Sequence, residues 1–258
     1  MLRRGLLAVV AAAAAAAVVA AAGLLACDRD VQLVELSREH FSATANHGTR
    51  FATVFERDAD GRSPLLVILH GRGDTAEHFR DAWRNFPIKL QLSLPLAPLP
   101  FDQGRQWFDW PPGTDEDALA AAVGAAEAKL WPAIVGIAEG RRLFVAGFSQ
   151  GALVAYAMAI RHPDDILCAF PIAGRLPAAL LSPSPARIAP IVAIHGTRDN
   201  VIPIDAARRS IAILELAGAT AELLELPDVG HTISPAVYDT LVREVRARLD
   251  QASRPRGP

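Results

Sequence analysis

Between Leu143 and Arg161 the chain reads L-F-V-A-G-F-S-Q-G-A-L-V-A-Y-A-M-A-I-R. An apolar run of strand length passes through G-x-S-x-G into a run that suits a helix. No other segment restricts the fold as much. Ser149 between Gly147 and Gly151, with a strand before and a helix after, is the pattern of a nucleophile elbow. There the serine holds a strained backbone, and a side chain at either glycine would collide with the adjoining helix or strand. The following helix directs its first amides toward the serine, which favours negative charge developing there.

The rest of the chain agrees with an α/β sheet. Phe51–Phe55, Leu65–Leu69, Lys89–Leu94, Leu143–Ala146, Ile166–Ile172, Ile191–Ile194 and Ala221–Leu226 read as short β-type runs. They alternate with helical patterns over Asp115–Glu139, Ala152–Arg161, Asp205–Ala217 and Pro235–Leu249. Pro132 is expected to kink or divide the first of these helices. Such alternation predicts βαβ units and a mostly parallel sheet with helices on both faces. A chain of 258 residues, 51% of them hydrophobic, buries one full core of this type. The 26 basic and 28 acidic side chains are scattered and nearly cancel, which argues against nucleic acid as a partner.

The N-terminus has a composition of its own. Arg3 and Arg4 precede an uncharged, alanine-dominated run, Leu6–Ala26, which is the plan of an export signal. The run ends in Leu24-Leu25-Ala26-Cys27, a sequence that resembles the lipobox of bacterial lipoproteins. The expectation is a signal over 1–27 cleaved before Cys27, a lipid anchor on Cys27, and one domain over 28–258 on a membrane of the cell envelope. An ordinary secretory signal and an uncleaved anchor are the alternatives. Cys168, the other cysteine, lies in an apolar strand and reads as a small core residue rather than a disulfide partner.

A serine hydroxyl needs a base, and the base needs an orienting carboxylate. On this architecture they follow in the order Ser, Asp or Glu, His. Asp199 stands in the loop after Ile191–Ile194, and His231 follows Gly230 after the last strand. Asp228 and Asp205 are rival carboxylates. His195 reads as a structural turn residue, His162 as a helix terminus, and His70 as a packing residue that precedes the serine. For the oxyanion, one donor is the amide of Gln150 and the other that of Arg72, in the loop Leu69-His70-Gly71-Arg72-Gly73-Asp74. The chemistry requires no metal or organic cofactor, and no Cys/His cluster has zinc-like spacing.

The ordered motifs L-H-G-R-G-D (69–74), W-F-D (107–109), G-F-S-Q-G (147–151), H-G-T-R-D with V-I-P (195–203) and G-H (230–231) resemble the phospholipase/carboxylesterase family of α/β-hydrolases, which includes acyl-protein thioesterases. The resemblance spans about Arg50 to Leu249. It implies an α/β-hydrolase fold, a Ser149 nucleophile, a His231 base, Asp199 as its orienter, and the Arg72 and Gln150 amides as the oxyanion hole. Family members often carry leucine at the position of Arg72 and a second glycine at that of Ala152. The implied substrates are small-molecule esters, thioesters or lysophospholipids. An acyltransferase or peptidase on the same triad, and a non-catalytic binding module, remain as alternatives. Only Gly174–Pro190 separates the strand after the nucleophile helix from the next, so no large cap domain is expected. Phe101, Trp107, Phe108 and Trp110 either line an acyl groove or pin a long loop to the core.

Overall fold

In the computed structural model, which describes residues 50–55, 63–83, 85–88, 90–182, 185 and 187–252, the apolar run Leu65–Leu69 is a strand sealed on both faces. Seven strands form one sheet: β1 (Arg50–Phe55), β2 (Leu65–Leu69), β3 (Gln91–Leu96), β6 (Leu143–Phe148), β7 (Ile166–Ile172), β8 (Ile191–Gly196) and β9 (Ala221–Leu226), in the spatial order β1-β3-β2-β6-β7-β8-β9. The last six are parallel to one another, and β1 joins the edge antiparallel to β3. A separate hairpin pairs β4 (Leu99–Phe101) with β5 (Gly104–Gln106).

Successive strand residues face opposite sides, and two apolar clusters record this period of two. Leu66, Ile68, Phe144, Ala146, Cys168 and Phe170 face helices α1 (Ala76–Trp83) and α5 (Pro235–Ala252). Leu65, Val67, Leu69, Val145, Ala169 and Ala193 face α2 (Glu116–Ala138), α3 (Gln150–Arg161) and α4 (Ile204–Leu216). Helix α3 is buried from Gln150 through Ile160, so it forms part of the core rather than a covering layer. Helix α2 is long and apolar enough to cross a membrane, but half of that stretch is buried, as in the core helix of a globular domain. The described residues between β7 and β8 hold only a 3-10 turn, Ala178–Leu181. This is the sheet expected of an α/β-hydrolase, and the described residues include no large cap.

Several elements differ from the sequence expectations. Helix α2 runs unbroken through Pro132. Pro132 and Ala128, whose carbonyl loses its helical donor, both lie on the exposed side, where solvent replaces the missing bond. Strand β3 continues past Pro95 to Leu96. The register of β1 against β3 shifts between Phe51 and Thr53, beside the Pro95 pairing, and proline is tolerated at such an irregularity. Helix α1 and the β4–β5 hairpin are additions to the expected elements. The sequence clue to α1 is Thr75, whose Oγ1 accepts the His78 amide at 3.3 Å in the manner of a helix cap.

The signal over 1–27, Cys27 and the domain boundary beside it lie outside the described residues. All described residues fall in one compact unit, Leu33–Pro258.

His70 links two strand ends. Its Nδ1 lies 2.6 Å from the Gly71 carbonyl, and its Nε2 accepts the Ala97 amide at 3.0 Å, which fixes the neutral ring with Nδ1 protonated. Burial lowers its pKa below the ordinary histidine value of about 6.5. The unfolded chain therefore takes up a proton that the folded chain refuses, so this contribution to stability is complete above that ordinary value and declines as pH falls through it. The urea midpoint is expected to fall between pH 7.5 and 5.5, and to fall less steeply in His70→Gln. Equal slopes would show that His70 titrates alike in both states.

Candidate active site

Ser149 sits between β6 and α3 at φ 52°, ψ −114°, a conformation that residues with a side chain rarely adopt. Its amide donates to the Ile172 carbonyl at 2.9 Å, anchoring the elbow to β7. A Cβ added at Gly147 would stand 2.2 Å from the Gly151 carbonyl oxygen, and one at Gly151 would stand 2.5 Å from that of Leu69. Both clashes are with backbone, so the turn closes only without those side chains.

Three strand ends then converge. His231 Nε2 lies 2.9 Å from Ser149 Oγ, and its Nδ1 lies 2.8 Å from Asp199 Oδ2. With Nδ1–H donating to the carboxylate, Nε2 is free to accept the serine proton. Asp199 is buried, and its Oδ1 accepts the amides of Val201 at 2.9 Å and Ile202 at 2.8 Å, so the loop after β8 holds the carboxylate in place. That loop docks on the one carrying His231: the Arg198 amide donates to the Val229 carbonyl, and Gly196 passes so close that a Cβ would meet the same oxygen at 2.2 Å. The rivals point elsewhere. Asp228 is exposed and pairs with Arg198, while Asp205 pairs with Arg208.

His195 has a closer part in the site than a turn residue. It is buried, its Nε2 lies 2.8 Å from the Ile202 carbonyl, and the same atom is 3.3 Å from Asp199 Oδ2. One N–H thus ties the carboxylate loop to itself. The spacing of four residues between His195 and Asp199 is the available sequence clue.

The loop after β2 approaches the serine. A Cβ at Gly71 would come within 3.5 Å of the Ser149 Cβ. Neither the Arg72 amide nor the Gln150 amide donates to a protein acceptor among the described residues, which leaves both available to a ligand. The hairpin braces this loop, since the Gly73 amide donates to the Arg105 carbonyl at 2.7 Å and the Arg105 amide to that of Asp74 at 3.0 Å. The Arg72 guanidinium lies over the Phe101 ring.

Gln150 contributes a side chain whose importance the sequence does not reveal. Its Oε1 accepts the Trp107 amide and its Nε2 donates to the Phe108 carbonyl, both at 2.7 Å. Trp107 and Phe108 are buried, and Trp107 Nε1 donates to the His70 carbonyl at 2.8 Å. These two rings pin the loop, whereas Trp110 lines a cavity of about 470 Å³ together with Arg175, Leu176, Val201, Ile202 and Arg209. A second cavity of about 540 Å³ has the His231 ring in its wall, beside Phe148, Asp74, Phe79 and Tyr238. No group of three or more His, Cys, Asp or Glu side chains that could hold a metal occurs among the described residues.

Gly151→Ala tests how tightly the elbow is packed. The new methyl has only backbone to displace, so the variant is expected to lose about 1–3 kcal/mol in urea unfolding. An unchanged midpoint would mean that strand and helix have room to separate.

The model of the phospholipase/carboxylesterase family matches residues 52–245. The carboxylesterase SOBER1 of Arabidopsis thaliana is 26% identical over 216 residues, covering 73% of this chain and 92% of the relative. Its crystal structure superposes with a TM-score of 0.61 at 26% identity, covering 72% of this chain and 99% of that one. A probable inactive carboxylesterase of Oryza sativa is 28% identical over 215 residues, covering 75% of this chain and 88% of the relative. The crystal structure of esterase PE8 shares the fold, with a TM-score of 0.65 at 24% identity over 75% of this chain and 96% of that one. The chain belongs to the phospholipase/carboxylesterase family of α/β-hydrolases.

Proposed function

We propose that the protein is a serine hydrolase that cleaves carboxylic ester or thioester bonds through an acyl-enzyme on Ser149. The observation that carries this reading is the unbroken chain Ser149 Oγ, His231, Asp199, with bonds of 2.9 and 2.8 Å, on a serine held in the strained elbow. In the first half-reaction Ser149 Oγ attacks the carbonyl carbon while His231 Nε2 takes its proton. The carbonyl oxygen becomes an oxyanion facing the amides of Arg72 and Gln150. Collapse of the tetrahedral adduct breaks the bond to the leaving group, which departs with the proton from His231. Water then attacks the acyl-enzyme with His231 as base, and the carboxylic acid is released. Asp199 holds the ring in the required tautomer and stabilises the imidazolium.

The cavity beside Trp110, Leu176 and Val201 suits the acyl portion, as a largely apolar recess next to the Asp199 loop. Export with a lipid on the Cys27 sulfur belongs to the same proposal and would hold the enzyme at a membrane surface where acyl esters are concentrated.

Two measurements test it. A fluorophosphonate probe should label the wild-type full-length protein and not Ser149→Ala, and kcat/KM for a short-chain ester should fall at least about 10⁴-fold in Ser149→Ala and by a similar factor in Asp199→Asn. Absent labelling of folded wild type would favour a binding module, a real alternative in a family with a relative named as inactive. For the anchor, an alkynyl fatty acid fed to the producing bacterium should appear on the wild-type protein and be lost in Cys27→Ala; labelling that survives the substitution would overturn the lipoprotein reading.

A further inference from the structure

Proton delivery restricts where the leaving group can sit. After taking the serine proton, His231 Nε2 has to pass it to the departing oxygen or sulfur, so the leaving group occupies the space that borders the His231 ring. The cavity of about 540 Å³ has His231 in its wall, and that beside Trp110 does not.

The wall of this leaving-group cavity is acidic and aromatic. Asp74 contributes from the loop after β2 and Asp239 from α5, while Phe79, Phe148 and Tyr238 supply rings. None of its lining residues is a lysine or arginine. The Asp239 carboxylate, on the exposed side of α5, makes no hydrogen bond or ion pair with any described residue. Asp74 is held through one oxygen only: Oδ1 accepts the Thr75 amide at 2.9 Å and lies 2.7 Å from His78 Nδ1, whereas Oδ2 has no partner among the described residues. Elsewhere carboxylates are commonly matched by arginines, as in Asp228 with Arg198, Asp205 with Arg208 and Glu127 with Arg161. The cavity on the other side has the opposite bias, with Arg175 and Arg209 against Glu116.

We propose that the cavity formed by Asp74, Asp239, Phe148 and Tyr238 beside His231 selects a cationic leaving group, so that the preferred substrates are esters of alcohols carrying an ammonium group. This inference rests on the serine hydrolase reading. Asp239 and the second oxygen of Asp74, whose first lies against His78 of the same wall, attract the cation with no lysine or arginine beside them, and the Phe148 and Tyr238 side chains border it. A volume of about 540 Å³ leaves room for a small alkylammonium alcohol. Balance is kept without a co-reactant, because the ammonium stays unchanged while the alcohol oxygen takes the His231 proton.

The test compares choline esters with 3,3-dimethylbutyl esters, which have the same shape without the charge, for acetyl, butyryl and octanoyl chains on the full-length protein at pH 8. At low salt the choline ester is expected to be favoured about 10-fold in kcat/KM, with the ratio falling as salt screens the carboxylates. Asp239→Asn should reduce the ratio and Asp239→Lys should bring it to one or below. Asp74→Asn should act in the same direction, with fluorophosphonate labelling of Ser149 reporting whether its loop remains assembled. A wild-type ratio near one, or a ratio that Asp239→Lys leaves unchanged, overturns the leaving-group proposal while the serine hydrolase stands. Failure to cleave either ester by a protein whose Ser149 still labels overturns it too. An unreactive Ser149 removes the reading beneath it.

Discussion

Everything at this site depends on one residue held against its backbone preference. A non-glycine residue at positive φ costs on the order of 1–3 kcal/mol, and Ser149 remains there because its surroundings leave no alternative. On one side is β6, paired along its length with β2 and β7; on the other is α3, buried through eleven consecutive residues from Gln150 to Ile160. Relaxing the serine would move a core helix against a core strand. The strain therefore serves to project the hydroxyl above the carboxyl end of the sheet.

The remaining parts follow from the parallel arrangement. Neighbouring parallel strands end at the same edge and lie roughly 4.8 Å apart, so loops after β6, β8 and β9 open beside one another although Ser149 and His231 are 82 residues apart in sequence. Close backbone approach then locks their relation, with Gly196 against Val229 between the Asp199 and His231 loops. Side chains finish what the backbone begins. Gln150, His70, Trp107 and His195 each complete the hydrogen bonding of a loop at the site. None of these four side chains has to touch a substrate to matter.

Charge is distributed with the same spatial logic. The α1 and α5 side presents Asp74 and Asp239 next to His231, and the α4 side presents Arg175 and Arg209 beyond the Asp199 loop. A chain whose net charge is only −2 thus places two carboxylates on one flank of its serine and two guanidinium groups, one of them paired with Glu116, on the other, a property of arrangement that no composition carries.

Much of this is legible in the residues. The elbow, the run of buried strands and the positions of Asp199 and His231 are local patterns, because strand burial, glycine requirement and loop placement are each expressed within a few neighbouring residues. The effects of Pro95 and Pro132 are not local in this sense, since their cost depends on whether the lost bond faces a bulge or solvent. Helix α1 and the short hairpin escape detection because eight- and three-residue elements carry too little periodicity to stand out. The sequence by itself determined the order of strands along the chain, the elbow and the residue types offered to the chemistry. Only the tertiary structure decided that His195 reaches Asp199, that the Gln150 side chain clasps the Trp107 loop, that Trp110 rather than Phe108 lines a cavity, and that the two flanks differ in charge. Each of these joins residues distant in the chain or depends on which way a side chain points, and that is settled only when the sheet edge brings the loops together.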